Sequence, residues 1–132
     1  MSEYTSTIEG FQRAMKWSLT GPPQEAKEYA EAVTTPTFHH IMDGQRLSYD
    51  DNIKRIQEWR GKCSHYEPVV RDFLRDGDML AARMTGTLKI EGTDSEFETF
   101  FVAKLDSAGK MVWLKDRSVY GPVGEVVEKG AN

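Results

Sequence analysis

The sequence predicts an α+β domain whose helices cover one face of a mostly antiparallel sheet. Three observations predict it. Apolar residues recur at helical spacing in the N-terminal part of the chain. After Cys63 the apolar period falls from about 3.6 to about 2. The long alternating runs that follow are separated by "RDGD", "EGTD" and "DSAGK", which is turn chemistry for successive antiparallel strands.

The first helix runs from about Ile8 to Leu19, with Ile8, Phe11, Met15 and Leu19 on one side and Thr7 as its cap. Gly10 should weaken its start. "TGPPQ" ends it, because Gly21 follows and Pro22 and Pro23 cannot continue a helix. A second helix, roughly Gln24 to Val33, presents Tyr29 and Val33 on one side. "TTPTFHHIMDGQRLS" reads as a hairpin turning at Asp43-Gly44. "SYDDNIKRIQEWRGK" is the third helix, capped by Ser48 or Asp50, with Ile53 and Ile56 inward and Gly61 at its end. Four strands follow, His65–Arg75, Met79–Glu91, Ser95–Leu105 and Met111–Tyr120. The whole reads as one domain, 1–132, with its core at about 8–122 and a tail, 123–132, that is loose or only partly docked.

The last two strands are apolar on both faces. Phe97, Phe101, Ala103 and Leu105 oppose Phe100 and Val102, and Val112 and Leu114 oppose Trp113 and Val119. A sheet covered on one side should alternate apolar with polar. Helices supply one cover, and a second copy of the chain through the outer face is the expected other, a homodimer.

Composition narrows the function classes. With 39% hydrophobic and 29% charged residues in 132, the chain has a globular balance and enough length for a core. A net charge of -4 and the lack of a basic, aromatic-interleaved patch argue against nucleic acid as a partner. No apolar run is long enough to span a bilayer, so no membrane partner is expected. "MSEYTSTIEG" lacks the charged start and apolar stretch of a signal peptide. The single Cys63 forms no internal disulfide and reads as an inert thiol, which fits a reducing, cytoplasmic location. Three histidines without HxH, HxxxH or CxxC spacing give no metal site, and no glycine-rich phosphate loop exists, so no metal or organic cofactor is expected.

One residue breaks the pattern. In "MVWLKDRSVYG" Val112, Leu114, Asp116, Ser118 and Tyr120 share a face, while Met111, Trp113, Lys115, Arg117 and Val119 share the other. Asp116 thus stands in line with core residues. It is either a strand-end carboxylate paired with Arg117, Arg83 or Lys115, or a desolvated acid/base in a cavity. Of the adjacent His39 and His40 only one can face inward. His40 shares a face with Phe38 and Met42 and is the choice, either as a hydrogen-bonded core residue or as a proton carrier. Tyr29, Tyr66 and Tyr120 are either core rings or donors to a substrate oxygen. Glu96 and Glu98 read as solvated or interfacial, and Arg83 as a dimer-face or ion-pair residue.

The order helix, helix, hairpin, helix and four long strands resembles the cone-shaped proteins related to nuclear transport factor 2, ketosteroid isomerase, scytalone dehydratase and the SnoaL-like polyketide cyclases. "FHHIMDGQRLSYDDNIKRIQEWRGK", "FLRDGDMLAARMTGTLKIEG" and "FFVAKLDSAGKMVWLKDRSVYGP" are most similar to SnoaL-like proteins of fungal secondary-metabolite clusters. The resemblance implies a strongly curved sheet that encloses an apolar pocket, with an Asp on the last strand as acid/base, here Asp116. It implies a cofactor-free isomerase, cyclase or dehydratase (lyase) for an apolar oxygenated metabolite. Asp116 and His40 would move protons, a tyrosine would anchor a carbonyl, and Met84, Leu88, Phe101 and Leu114 would shape the pocket. The fold also serves non-catalytic ligand-binding or dimerisation modules, which is the alternative.

Overall fold

A computed structural model describes residues 2–128. The helices are α1 (Glu3–Ser6), α2 (Ile8–Ser18), α3 (Ala26–Val33) and α4 (Tyr49–Lys62). The strands are β1 (Thr34–Met42), β2 (Gln45–Leu47), β3 (Cys63–Asp76), β4 (Met79–Ile90), β5 (Thr93–Leu105) and β6 (Met111–Gly121). They form one six-stranded sheet in the order β2-β1-β6-β5-β4-β3. All pairs are antiparallel except β1 with β6, which is parallel. The expected α+β class and mostly antiparallel sheet stand, and the parallel pairing of β1 with β6 is new.

Local chemistry sets these elements. The Thr7 side chain accepts the Gly10 amide and caps α2, and Ser48 accepts the Asp51 amide and caps α4. Asp43 (φ 48°) and Gly44 (φ 88°) both adopt the left-handed conformation that a two-residue hairpin turn requires. The helix α4 passes through Gly61 and ends at Lys62, one residue beyond the expected stop.

α2 starts at Ile8 under the Thr7 cap as expected, and the segment before it adds a feature that the sequence reading lacked. A one-turn helix, α1, precedes it and lies against it, so that a Cβ on Gly10 would fall 1.7 Å from the Glu3 carbonyl oxygen. Gly10 is therefore a close-approach site as well as a residue of low helix propensity.

The helices α2, α3 and α4 cover the concave face of the sheet. Phe11 is fully buried and meets Phe101 edge-on at 5.6 Å and Phe73 at 5.7 Å. A large apolar side chain buried like this contributes about 1.5–3 kcal/mol. Polar contacts fix the remaining geometry. Arg60, buried on α4, donates to the carbonyls of Trp17, Ser18 and Pro22 at 2.6–3.1 Å. Those groups lie at and just past the end of α2, where helix carbonyls lack partners of their own. Gln12 of α2 accepts the Val70 amide beside an irregularity of β3 between Val70 and Asp72.

Two strand details correct the sequence reading. In β6, Lys104 pairs with Trp113 but Leu105 pairs with Met111, so Val112 is an extra, bulged residue. The bulge shifts the phase, and Met111 is buried with Leu114 where strict alternation had set it on the outer face. Glu96 is neither simply solvated nor interfacial, because its Oε1 accepts the amides of Gly124, Val126 and Val127. The tail is thus docked at least as far as Val127, and residues 129–132 lie outside the described residues. Arg83 holds Asp72 at 2.7 Å and Glu98 at 3.1 Å on the outer face, as an ion-pair reading requires.

Gly10→Ala tests the α1–α2 contact. Propensity alone would make it stabilising by about 1 kcal/mol. The clash with Glu3 should reverse the sign to a loss of about 1–3 kcal/mol, read by urea denaturation.

Candidate active site

The site begins with the pairing of β1 and β6. Past an irregularity between Thr34 and His39, His40 lies opposite Leu114 and Met42 opposite Asp116. His40 and Asp116 therefore point to the same face from adjacent strands, two positions apart. The turn after β1 secures this register. The Asp43 amide donates to the Asp116 carbonyl (3.1 Å), and the Ser118 amide donates to Asp43 Oδ1 (2.9 Å).

The two side chains meet. His40 Nε2 is 2.9 Å from Asp116 Oδ2, and the side chains are 5% and 8% exposed. The pairing of Asp116 with Arg117, Arg83 or Lys115, open from the sequence, does not occur; its partner is His40. Of the two histidines, His40 is buried and His39 is partly exposed on the other side of the strand.

The helix α4 completes a polar chain. Asn52 Oδ1 lies 3.2 Å from His40 Nδ1, and Arg55 Nη2 donates to the same oxygen at 3.1 Å. Arginine can only donate, so the Asn52 atom between them is the oxygen. As a donor to that oxygen His40 Nδ1 carries a proton, and Arg55 Nη2 lies 3.5 Å from the same nitrogen, the contact that the other tautomer would use. In either tautomer Nε2 and Asp116 Oδ2 share a hydrogen bond of 2.9 Å.

Two atoms of this chain have no hydrogen-bond partner, Arg55 Nε and Asp116 Oδ1, and both are buried. A buried polar atom without a partner costs about 1–3 kcal/mol. A ligand that pairs with it removes that cost.

Both residues line a cavity of about 90 Å³ under the helices. One water needs roughly 10–15 Å³ on the same measure, so the space exceeds a single solvent site. His40, Asp116, Tyr29, Tyr66, Tyr120, Met84, Leu88, Phe101 and Leu114, the candidates from the sequence, all line it. Burial pushes the Tyr29 hydroxyl up to about 12 and raises that of Tyr66 further, so both are neutral donors near pH 7. Tyr120, half exposed, stacks on Trp59 at 6.3 Å and meets Phe97 at a tilt at 6.1 Å. Burial of its hydroxyl raises its pKa, and a hydrogen bond to Ser118 opposes the rise. Burial works against the charge on Arg55, and the carboxylate of Asp116 works for it.

Asn52 and Arg55 were absent from the sequence-derived candidates. A signal existed. Asn52 and Arg60 stand four residues either side of the buried Ile56, so polar residues occupy an inner helical stripe. No group of histidine, cysteine, aspartate and glutamate among the described residues is arranged to hold a metal ion.

No protein-family model matches the chain, and neither does any curated protein. Solved structures do. BvnE pinacolase from Penicillium brevicompactum aligns with TM-score 0.69 at 9% identity, over 84% of this chain and 81% of that one. A SnoaL-like protein from Jannaschia sp. CCS1 aligns with TM-score 0.65 at 14% identity, over 77% and 76%. An epoxide hydrolase of the LEH-like type from M. tuberculosis aligns with TM-score 0.63 at 17% identity, over 82% and 81%. The chain has the cone fold of the nuclear transport factor 2-like, SnoaL-like proteins. The curved, unclosed sheet under a roof of helices is the architecture that the resemblance implied.

The hydrogen-bond logic predicts that His40 Nδ1 is protonated in the free protein. Nitrogen-15 NMR of the imidazole should report a protonated Nδ1. A bare Nδ1 with the proton on Nε2 would show that the Asn52 oxygen does not orient the ring.

Proposed function

We propose that this chain is an acid/base enzyme, acting without metal or organic cofactor, that isomerises, cyclises or dehydrates an apolar oxygenated small metabolite. The observation that carries the reading is the buried His40–Asp116 contact beside a cavity, with Asp116 Oδ1 unpartnered.

In this reading His40 carries its proton on Nδ1 and Asp116 carries one on Oδ2. A substrate C–H or O–H proton moves to Asp116 Oδ1 as the Oδ2 proton moves to His40 Nε2. The substrate becomes an anion and His40 an imidazolium, whose Nδ1–H is held by Asn52. Return of the proton to another carbon gives isomerisation. Return to a departing hydroxyl gives dehydration. Attack of the anion on an internal electrophile gives ring closure. The apolar walls exclude water, which strengthens each of these polar contacts. Tyr29 and Tyr66, neutral at pH 7, are the candidate anchors for a substrate oxygen.

That structures of the same fold include a pinacolase and an epoxide hydrolase supports this class. A place in secondary metabolism, which the sequence resemblance implied, belongs to the same reading. No helix among the described residues is long and apolar enough to cross a membrane. A cytoplasmic location belongs to the same reading.

Asp116→Asn should lower kcat by about 10²–10⁴-fold with the fold intact, because Asn keeps the shape but cannot take the proton. His40→Ala should depress the same constant and alter its pH profile. A candidate substrate comes from metabolite profiling of a strain lacking the gene. Normal turnover by Asp116→Asn would sink the catalytic reading and leave a ligand-binding module.

The outer sheet face supports a homodimer. Phe100, Val102 and Val119 are exposed there, with Phe100 54% and Val119 60% accessible. Trp113, with Lys115 lying 5.0 Å above its ring, extends the patch. Light scattering at micromolar concentration should give twice the chain mass, and Phe100→Glu should return it to one. A wild-type monomer would refute the dimer.

A further inference from the structure

One ring of the cavity wall also faces the solvent. Of the aromatic side chains that line the cavity, Tyr29, Phe38, Tyr66, Phe97 and Phe101 are 7% exposed or less, and Tyr120 is 52% exposed. Tyr120 touches both the cavity and the solvent, and at that place its ring stands between them. Two other rings hold it. Phe97 meets it from within the wall at 6.1 Å, and Trp59 of α4 stacks on it at 6.3 Å. Trp59 is partly exposed and is not among the residues that line the cavity. It bears on the cavity through Tyr120.

The backbone on either side of this stack is fastened. Trp59 precedes Arg60, whose three bonds to the end of α2 seat that part of the helix. Tyr120 precedes Gly121, which lies opposite Glu96 on β5. The Glu96 carboxylate takes the amides of Gly124, Val126 and Val127, so the chain beyond Tyr120 is tied to the neighbouring strand. What remains free to turn is the tyrosine side chain, and it has solvent to turn into. Tyr120 shares its strand face with Ser118 and Asp116, both of which line the cavity. A molecule entering at Tyr120 passes Ser118 and reaches Asp116 after about 13 Å, the length of four strand residues.

We propose that Tyr120 is the gate of the cavity and that Trp59 is the latch that holds it closed. Outward rotation of the Tyr120 ring gives up both aromatic contacts and opens the wall beside Phe97. The stack on Trp59 sets how often this happens. An apolar, ring-sized molecule enters when the tyrosine is out and is enclosed when the stack re-forms. The gate acts on entry, so it serves a cavity that binds its ligand as well as one that transforms it.

The test follows the exchange of fluorobenzene, an uncharged ring, by fluorine-19 NMR and uses no turnover. Trp59→Ala should speed both entry and exit by about 2- to 10-fold, the change in open population that an aromatic pair controls. The dissociation constant should change little. Trp59→Phe, which keeps a smaller ring, should give a smaller gain in both rates and serves if the alanine variant does not fold. Trp17→Phe is the control. Trp17 packs edge-on at 5.5 Å against Tyr29, a buried ring of the same wall, and its change should leave both rates as in the wild type. Entry no faster in a folded Trp59 variant would overturn the proposal. So would weaker binding with unchanged entry, which marks a support of the wall. An equal gain in Trp17→Phe, which marks general loosening, would overturn it too.

Discussion

The site depends on the phase of β6. That strand is gripped on both sides, parallel by β1 and antiparallel by β5. A slip of one residue would turn Leu114 and Asp116 outward and bring Trp113, Lys115 and Arg117 in. Two devices prevent it. The Val112 bulge fits Met111 and Leu114 to the same interior, and the Asp43 turn fastens the strand at Asp116 and Ser118. The carboxylate is consequently set by backbone pairing, and its position does not rely on its own side-chain contacts.

Three elements then bring four polar residues together in an apolar space. β1 gives His40, β6 gives Asp116, and α4 gives Asn52 and Arg55. Each contact restricts the next. Arg55 fixes the orientation of the Asn52 amide, the amide fixes the ring of His40, and the ring addresses Asp116. The helix that carries two of the four is itself held by Arg60, whose three bonds to the end of α2 seat α4 over the sheet. Two arginines five residues apart thus have different employments, one closing the roof and one lining the cavity.

Much of this was legible in the sequence because it follows from short-range pattern. The helix caps at Thr7 and Ser48, the Asp43-Gly44 turn and the four strands are local signals, and the structure contains them. The face of Asp116 was legible by alternation, and that of His40 from Phe38 and Met42. What alternation could not supply was the bulge at Val112, because an extra residue is defined only against the partner strand. Nor could it supply the meeting of His40 with Asp116, which are 76 residues apart and depend on a parallel register. Glu96 was misread for a similar reason. The amides that it accepts belong to a tail whose path no local period encodes.

The cavity wall is unevenly built. The linked polar residues His40, Asp116, Asn52 and Arg55 stand on β1, β6 and α4, while β4 and β5 contribute Met84, Leu88, Phe97 and Phe101. The polar chain and much of the apolar wall are therefore written on separate stretches of chain. A change such as Leu88→Ala or Met84→Phe resizes the chamber and leaves every polar contact in place. The polar chain can stay constant while the opposing wall is recut around another molecule. On the proposed reading, ordinary apolar substitutions would then refit the chamber without touching the groups that move protons.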